Sequence, residues 1–472
     1  MKLIYLYSLV LLLAVSCTTT TSQNTRNKVP KYIFLFIGDG MGIVQSQAAD
    51  LYLRTNKQDS LDLLYLPGTG YMSTHSANSQ ITGSAASGTA LSTGTKTNNG
   101  MLSISPNGDT LFSFMNTAHK KGMKTGIISS VSLDHATPAA FYAHSNSRNN
   151  YHEISIQLAH SNIDFFAGGG FLDPQNESQN AYTLAEKNGY TLIHSPENIS
   201  KIQQENRYLL YDSLTTLPYA IDSLKNRFSL EMITQAAIEN LTNKQGFVIM
   251  VEGGKIDWAC HANDAATTIH EVIEFNKAVT KALEFYKKHP EETLIIVTAD
   301  HETGGMALGD AALPYETHYD MLVHQHISYE QFEDTLRKIW KNNPKISFEE
   351  VYERITQFYS IGENYINFSK DDILSLRQAY DFVNNNYKIS EKEALLKYNC
   401  TNTSAQALDK LSAITITTNR IVAQKSGIGW TTYAHSSAHV PVFTIGVGKE
   451  PFCGLIDNTD ISKIISSYIT EE

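Results

Sequence analysis

The chain has few cysteines, and their number and spacing argue against a disulfide framework and against a zinc site made of thiolates. Only four occur in 472 residues, Cys17, Cys260, Cys400 and Cys453, and no two of them form a C-x-x-C pair. Disulfide-stabilised extracellular domains are much denser in cysteine, and thiolate zinc sites need closely spaced pairs. The sequence therefore indicates neither a disulfide framework nor a thiolate zinc site, and it leaves a single bridge open.

Positive charge is also scarce. Lysine and arginine number 37 against 48 aspartates and glutamates, for a formal net charge of −11, and no run rich in lysine or arginine occurs. Because proteins that bind nucleic acids neutralise phosphates with clustered cations, the sequence carries no nucleic-acid-binding signature. Its apolar fraction of 42% is ample for a large core. The length fits one large α/β unit with an insertion as well as two or three domains.

The apolar segment at the N-terminus, residues 3–15, is too short to span a bilayer comfortably. It follows Lys2 and is followed by the small Ser16 and then Cys17, so residues 1–17 resemble a bacterial lipoprotein signal peptide with a lipidated Cys17. Residues 18–30 form a polar linker. We therefore expect an exported protein held at a bacterial envelope membrane by its lipid anchor, facing the periplasm or the outside. A plain secretory signal cut nearby is the alternative.

Several apolar runs of strand length recur along the chain, and each is followed by a polar loop. The first, residues 32–37, leads into Gly38-Asp39-Gly40-Met41-Gly42 and then a helical pattern. Similar runs occupy residues 125–128, 246–251 and 293–298, with helical patterns over 230–243 and 269–288. This alternation predicts an α/β fold with a large, mostly parallel sheet and helices on both faces.

Three carboxylates come directly after apolar strands of this predicted sheet, namely Asp39, Glu252 and Asp300. In sheets of this kind, ligands bind beyond the carboxyl ends of the strands. We therefore expect an active site at that edge of the sheet.

The segment 327–423 differs from the rest of the chain because it is charged and helix-patterned throughout. Ser369 and Asp372 have the spacing of a capping box, which marks a helix start. We expect residues 31–326 to form the first part of the core, 327–423 a helical insertion or cap, and 424–472 the last part of the core. The insertion has no metal-ligand spacing of its own, so it is expected to cover or border the site or to form an interface.

A candidate nucleophile stands in the glycine-bearing stretch 80–90. There Ser84 precedes a run of small, helix-tolerant residues. The free N–H groups of a helix start favour an anion, which suits a serine that attacks a phosphoryl group. The alternative is an ordinary serine helix cap.

Aspartate and histidine pairs supply candidate metal ligands. Asp257 and His261 stand four residues apart, on one face of a helical turn, whereas Asp300 and His301 are adjacent in a loop after a strand. With His435 as a further imidazole, this nitrogen and carboxylate set suits zinc.

A third set is made of oxygen ligands. Asp39, Thr137 and Glu252 suit magnesium, although Thr137 before Pro138 also fits a helix cap. Arg148 is a candidate for a bidentate clamp on two phosphoryl oxygens, and a solvated surface arginine is the alternative.

Five motifs make the chain resemble the alkaline phosphatase family from about residue 31 to residue 469, apart from the helical insertion. They are IGDGMG (37–42), TGSAAS (82–87), ATPAA (136–140), VEG (251–253) with the nearby Asp257 and His261, and TADHETGG (298–305). The resemblance implies hydrolysis of phosphate monoesters through a phosphoserine, with two zinc ions and one magnesium. Relatives are often dimers, so a homodimer is left open.

The resemblance also implies residue roles. Ser84 would be the phosphorylated nucleophile, and Arg148 would hold the phosphate. The implied ligands are Asp257, His261 and His435 for one zinc, Asp39, Asp300, His301 and the serine oxygen for the other, and Asp39, Thr137 and Glu252 for magnesium. A phosphodiesterase or sulfatase of the same superfamily, or a non-catalytic phosphate- or metal-binding lipoprotein, are the alternatives.

The sequence departs from the family pattern at several positions. Gly83 stands where many bacterial relatives carry an aspartate that braces the phosphate-binding arginine, so that arginine is expected to be more mobile or to have another partner. His135 and Trp258 stand where the best-known bacterial form has aspartate and lysine. His439 occupies a usually acidic position, which makes it a second candidate ligand beside His435.

Overall fold

The structure is a computed structural model that describes residues 29–204, 206–362, 366–401 and 407–471. The predicted signal peptide, the lipidation site Cys17 and nearly all of the polar linker lie outside the described residues. Within the described ranges, no helix has both the length and the apolar character needed to cross a membrane.

The strands lie in this order along the chain: β1 (Tyr32–Ile37), β2 (Gly68–Ser73), β3 (Lys124–Ser132), β4 (Phe165–Gly169), β5 (Tyr190–Ile193), β6 (Arg207–Asp212), β7 (Phe247–Glu252), β8 (Thr293–Thr298), β9 (Glu302–Thr303), β10 (Met306–Leu308), β11 (Ile428–Trp430), β12 (His435–Ser436), β13 (Val440–Gly446) and β14 (Gly454–Asp457).

The α-helices are α1 (Ile43–Thr55), α2 (Ser84–Thr93), α3 (Phe114–Lys120), α4 (Ala136–Ala139), α5 (Tyr151–His160), α6 (Ala181–Lys187), α7 (Leu230–Leu241), α8 (Lys255–His261), α9 (Ala265–Lys288), α10 (Tyr329–Asn342), α11 (Phe348–Phe358), α12 (Lys370–Val383), α13 (Glu391–Tyr398), α14 (Ser412–Lys425) and α15 (Asn458–Thr470).

Ten of these strands form one sheet within the described part of the chain, in the order β14-β2-β13-β8-β1-β7-β3-β4-β6-β5. Of these ten, β13 runs antiparallel to its neighbours β2 and β8, and the other adjacent pairs are parallel. Two short ribbons, β9 with β12 and β10 with β11, lie outside the sheet. The predicted α/β fold with a large, mostly parallel sheet is confirmed.

The central strands are buried on both faces, as their continuous apolar sequences predict. In β1, the rings of Phe34 and Phe36 contact Phe285 and Phe275 of α9, so α9 covers that face. The alternate residues of β1 point to the opposite face and are equally buried. A strand covered on both sides needs no polar alternation, which explains why its sequence reads as an unbroken apolar run.

Strand register brings the loops that follow the central strands to one edge. Ile37 at the end of β1 pairs with Glu252 on one side and with Thr298 on the other. Ser129 of β3 pairs with Glu252 from the far side of β7. The residues that follow β1, β7 and β8 therefore meet at the carboxyl edge of the sheet, where the sequence predicts the active site.

The described part of the chain between residues 327 and 423 is mainly helical, with α10 to α13 and most of α14. The predicted capping box of Ser369 and Asp372 is present, with both side-chain to backbone bonds formed. The boundaries of the core and the insertion stay predictions, although α14 continues to Lys425. The single disulfide that the sequence left open is not formed by Cys260, Cys400 or Cys453, which are all free thiols.

Candidate active site

Ser84 is the first residue of α2, and the conformation of Gly83 before it is extended. The Ser84 hydroxyl is buried and lies 3.2 Å from Nε2 of His301. The helix-cap interpretation of Ser84 is wrong, because Gly83 holds the N-cap position and the serine lies inside the first turn. Ser87, one turn later, donates a 2.6 Å hydrogen bond to the carbonyl of Asp300, which fixes α2 against the loop after β8.

A first cluster surrounds Nε2 of His301. Asp39 Oδ1 lies 3.4 Å away and Asp300 Oδ2 lies 3.2 Å away, and all three side chains are fully buried. Neither of these carboxylate oxygens has a hydrogen-bond partner among the described residues. Burial, and then the charge of Asp257, raise the pKa of Asp300 to about 8, and burial with the charge of Asp300 raises that of Asp39. Carboxylates held together in this way need a nearby positive charge to remain ionised at neutral pH.

A second cluster is built on α8. Asp257 and His261 are four residues apart on this helix, and Asp257 Oδ2 lies 3.3 Å from His261 Nε2. His435 joins them, with its Nε2 3.3 Å from His261 Nε2 and 3.7 Å from Asp257 Oδ1. The rings of His301 and His435 stack with centroids 3.6 Å apart, so the two clusters adjoin.

The tautomer of each of these histidines follows from the partner of its Nδ1. His261 Nδ1 contacts the carbonyl of Tyr433, and His435 Nδ1 lies 2.7 Å from the carbonyl of Thr82. A carbonyl oxygen only accepts, so both Nδ1 atoms carry the hydrogen, and in the neutral rings both Nε2 atoms present lone pairs to each other. Two facing lone pairs beside a carboxylate call for a cation between them.

Thr303 fixes the tautomer of His301 in the same way, with the hydrogen on Nδ1. Its hydroxyl donates to Asp257 Oδ1 at 2.6 Å and therefore accepts from His301 Nδ1 at 3.2 Å. His301 thus also turns an Nε2 lone pair toward its carboxylates and Ser84. One buried hydroxyl in this way orients ligand candidates in both clusters.

A third cluster lies between β1, β3 and β7. Ligand atoms of Asp39, Glu252 and His135 lie within 4.8 Å of one another. Thr137 donates to Asp39 Oδ2 at 3.2 Å, Ser129 donates to Glu252 Oε2, and Glu252 Oε1 has no partner among the described residues. Burial, and then the charge of Asp39, raise the pKa of Glu252.

The helix-cap interpretation of Thr137 is wrong, because His135 holds the N-cap position of α4 and Thr137 is its second residue. This placement leaves the Thr137 hydroxyl free to reach Asp39. Thr137 therefore lies where the sequence predicts a ligand, at the edge of the oxygen-rich third cluster.

Arg148 is half-buried in the loop before α5, and its Nη2 lies 2.8 Å from Nε2 of His135. An arginine only donates, so this histidine nitrogen accepts. Burial, and then the charge of Arg148, lower the pKa of His135 to about 3, which keeps the ring neutral. Position 83 offers no side chain, and the partner of the Arg148 guanidinium among the described residues is His135.

Comparison with known proteins agrees with this geometry. The sequence profile of the family described as alkaline phosphatase matches residues 30–470. The chain is 32% identical over 446 residues to alkaline phosphatase 4 of Bacillus subtilis, an alignment that spans 92% of this chain and 87% of that protein. The chain belongs to the alkaline phosphatase family. The predicted family and phosphomonoesterase activity are thereby confirmed.

Solved structures of alkaline phosphatases share the fold. The cold-active alkaline phosphatase of a Shewanella species superposes with a TM-score of 0.77 at 27% identity, covering 93% of this chain and 100% of that one. The Thermus thermophilus alkaline phosphatase gives a TM-score of 0.77 at 25% identity, covering 97% and 95%. The ten-stranded sheet with its polar carboxyl edge is thus an alkaline phosphatase fold.

The candidate residues of the alkaline phosphatase site come together, with the exception of His439. His439 is exposed and lies outside the three clusters. Cys260, next to His261, is buried and turns its thiol toward Thr268, with 3.7 Å between Sγ and Oγ1.

His135 lies at the site although the sequence analysis assigns it no role. Asp134-His135 follows β3 just as Asp300-His301 follows β8, and this repeated dipeptide is the signal that could have placed His135 at the site. Thr303 lies within a family motif, but nothing in its local sequence indicates that its hydroxyl bridges two clusters.

Proposed function

We propose that this enzyme hydrolyses small-molecule phosphate monoesters through a phosphoserine at Ser84, with two zinc ions and one magnesium. The observation that carries the proposal is the position of Ser84 Oγ, 3.2 Å from His301 Nε2 and at the start of α2, beside two adjoining Asp/His clusters. A hydroxyl at a helix start, next to lone pairs that call for cations, is suited to attack on a phosphoryl dianion.

The donor sets fit these ions. The proposed ligands are Asp257, His261 and His435 for one zinc, Asp39, Asp300 and His301 for the other, and Asp39, Thr137 and Glu252 for magnesium. Imidazole with carboxylate suits zinc, whereas an all-oxygen set suits magnesium. Three buried carboxylate oxygens have no hydrogen-bond partner among the described residues, namely Asp39 Oδ1, Asp300 Oδ2 and Glu252 Oε1. They support the assignment, because buried carboxylate oxygens are otherwise hydrogen-bonded. When bound, such ions lower the pKa of hydroxyl groups and water and neutralise developing negative charge.

The side chains of the site then have distinct tasks. Ser84 Oγ forms a bond to phosphorus while the ester P–O bond breaks and the alcohol leaves. Water next attacks the phosphoserine, which releases inorganic phosphate and restores the serine. Arg148 is suited to hold two non-bridging oxygens with its guanidinium fork, and the first N–H groups of α2 favour the same negative charge.

We also propose that the mature protein is exported and lipid-anchored through Cys17. The support is the sequence of residues 1–17 alone. A Cys17→Ser variant should leave the membrane fraction while keeping its specific activity. Membrane retention of that variant would argue against the anchor.

The decisive experiment measures hydrolysis of an aryl phosphate with zinc and magnesium by the wild type, Ser84→Ala and Ser92→Ala. Ser92 is the matched control, because it lies on the same helix and its buried hydroxyl bonds to the carbonyl of Ala140 at 2.7 Å. We expect Ser84→Ala to lose at least about 10³-fold in kcat, and Ser92→Ala to keep the wild-type rate within a few-fold. Acid quenching should trap a phosphoryl group on the wild type alone. An active Ser84→Ala variant would refute the phosphoserine.

A further inference from the structure

Helices α10 to α14, the helical segment within the described residues of 329–425, make polar contacts that converge on the polypeptide around His261. The central residue is Tyr433, in the loop between β11 and β12. Its backbone carbonyl accepts from His261 Nδ1. Its hydroxyl contacts two residues of the helical segment, Arg420 of α14 at 2.9 Å from Nη1 and the carbonyl of Lys397 in α13 at 3.2 Å.

The donors and acceptors around the Tyr433 hydroxyl allow only one arrangement of its hydrogen bonds. Arginine can only donate, so the hydroxyl oxygen accepts from Arg420 and passes its own hydrogen to the carbonyl of Lys397. The guanidinium of Arg420 also lies 5.6 Å from the centre of the Tyr433 ring, within range of a cation–π contact. Both ends of Tyr433 are therefore fixed, one to His261 and the other to the helices.

A second contact joins the helical segment to the backbone next to His261. Asn419 of α14 donates to the carbonyl of Ala262, the residue after His261, at 3.1 Å, and it accepts from the hydroxyl of Tyr359 at 2.9 Å. The C-terminal end of α8 is thus bound to α14 directly through Asn419 and indirectly through Tyr433. Asn263 adds a bond to the carbonyl of Thr432 at 3.0 Å, which joins the two attachments.

We propose that the helical segment 329–425 acts as a clamp that orients His261 through Tyr433. The inference rests on the proposed function, in which His261 is a zinc ligand. A histidine ligand takes its ring orientation from the group that accepts its other N–H, and loss of such a partner typically costs about 10–100-fold in metal affinity or activity. Here the accepting group is a backbone carbonyl, whose position depends on what holds its residue. Tyr433 is accordingly a positioning residue, and Arg420 and Lys397 hold it in place.

The substitution Tyr433→Phe tests the clamp, because it removes the hydroxyl but keeps the ring and the backbone carbonyl. The matched control is Tyr380→Phe, which removes a hydroxyl bonded to the carbonyl of Ile346 at 2.6 Å inside the same helical segment. Zinc affinity is measured on the full-length holoprotein by competition with a chelator, with zinc content read directly. We expect Tyr433→Phe to weaken one zinc site by about tenfold and Tyr380→Phe to leave zinc affinity unchanged.

Two further variants keep the test decisive. Arg420→Met removes the donor to the Tyr433 hydroxyl from an exposed side chain, so it should fold and weaken the same zinc site in the same direction. His261→Ala reports on the zinc assignment itself, and it should lose one zinc. If His261→Ala keeps its full zinc content, the proposed zinc site fails. If His261→Ala loses zinc while Tyr433→Phe and Arg420→Met bind it like Tyr380→Phe, the clamp is refuted and the zinc site stands.

Discussion

Thr303→Val would show whether one hydroxyl couples the two Asp/His clusters. Thr303 is fully buried in the two-residue strand β9, where its hydroxyl donates to Asp257 Oδ1 and accepts from His301 Nδ1. Valine keeps the β-branched shape and nearly the same volume, so packing and strand preference are retained. The substitution therefore removes two hydrogen bonds and little else.

The size of the effect follows from what these bonds leave behind. The N–H at Nδ1 of His301 becomes a buried donor without a partner, which costs about 1–3 kcal/mol in free energy of unfolding. Asp257 loses the short hydrogen bond from the Thr303 hydroxyl. The proposed zinc ligands Asp257 and His301 thereby lose the group that orients them. Such losses typically weaken metal binding by about 10–100-fold, or roughly 1.4–2.8 kcal/mol per site. Because the hydroxyl joins both clusters, we expect both zinc affinities to fall.

The assay is chelator competition for zinc, combined with denaturant unfolding of the metal-loaded protein. Thr293→Val is the matched control, because Thr293 is also fully buried, lies in β8, and bonds to the carbonyl of His289 at 2.8 Å far from the clusters. We expect the control to lose stability by a similar amount without a change in zinc affinity. Wild-type zinc affinity at both sites in Thr303→Val would refute the reasoning, and loss at a single site would refute the coupling.

Three other perturbations give expectations of known sign. In the metal-free protein, burial lowers the pKa of His261, but the charge of Asp257, its hydrogen bond and the hydrogen bond to the Tyr433 carbonyl together outweigh burial and raise the pKa to about 9. This pair therefore stabilises the metal-free fold fully below the ordinary histidine pKa of 6.5, and its contribution is lost as the pH rises through about 9. Zinc binds the neutral ring, so the zinc affinity of this site should increase by up to about tenfold per pH unit until pH 9. Titration calorimetry at several pH values measures this affinity. An affinity that does not change from pH 7 to 9 would contradict the prediction. Arg148→Lys keeps the positive charge but loses the planar guanidinium fork. We therefore expect kcat/KM for an aryl phosphate to fall by roughly 10–100-fold and inhibition by phosphate to weaken. Unchanged kinetics would show that Arg148 does not bind phosphate. Gly246→Ala should cost several kcal/mol in the free energy of unfolding measured with denaturant, because φ is +91° and the new Cβ would lie 2.0 Å from the carbonyl oxygen of Lys31. Gly189→Ala has the same φ but no neighbour within 4 Å among the described residues, so it should cost only about 1–2 kcal/mol. Equal losses would show that the contact with Lys31 is relieved by movement.

Much of the fold could be predicted from local sequence. A buried parallel strand must be apolar on both faces, so β1, β7 and β8 can be recognised in the sequence as nearly continuous apolar runs. The residues that follow such strands share one edge of the sheet whatever the order of the strands, so the sequence alone assigns Asp39, Glu252 and Asp300 to one site. The spacing of Asp257 and His261 likewise needs only the helix period.

Other features depend on contacts between distant parts of the chain. The proton on His261 is positioned by the carbonyl of a residue 172 positions away, and that on His435 by a carbonyl 353 positions away. A backbone carbonyl is present at every residue, so no sequence pattern can single out the one that accepts. The pairing of Arg148 with His135, 13 positions apart, depends on how the loop before α5 folds back onto the residues that follow β3.

The sequence by itself determined which chemical groups this protein has and at which edge of the sheet they gather, because strand burial and helix periodicity are local properties. Only the tertiary structure decided how those groups are oriented. The Nε2 lone pairs of His261, His301 and His435 face their carboxylates because Tyr433, Thr303 and Thr82 accept from the opposite nitrogens. Those acceptors are brought into place by the packing of the loop before β12, strand β9 and the start of α2, and that packing is a property of the folded chain as a whole.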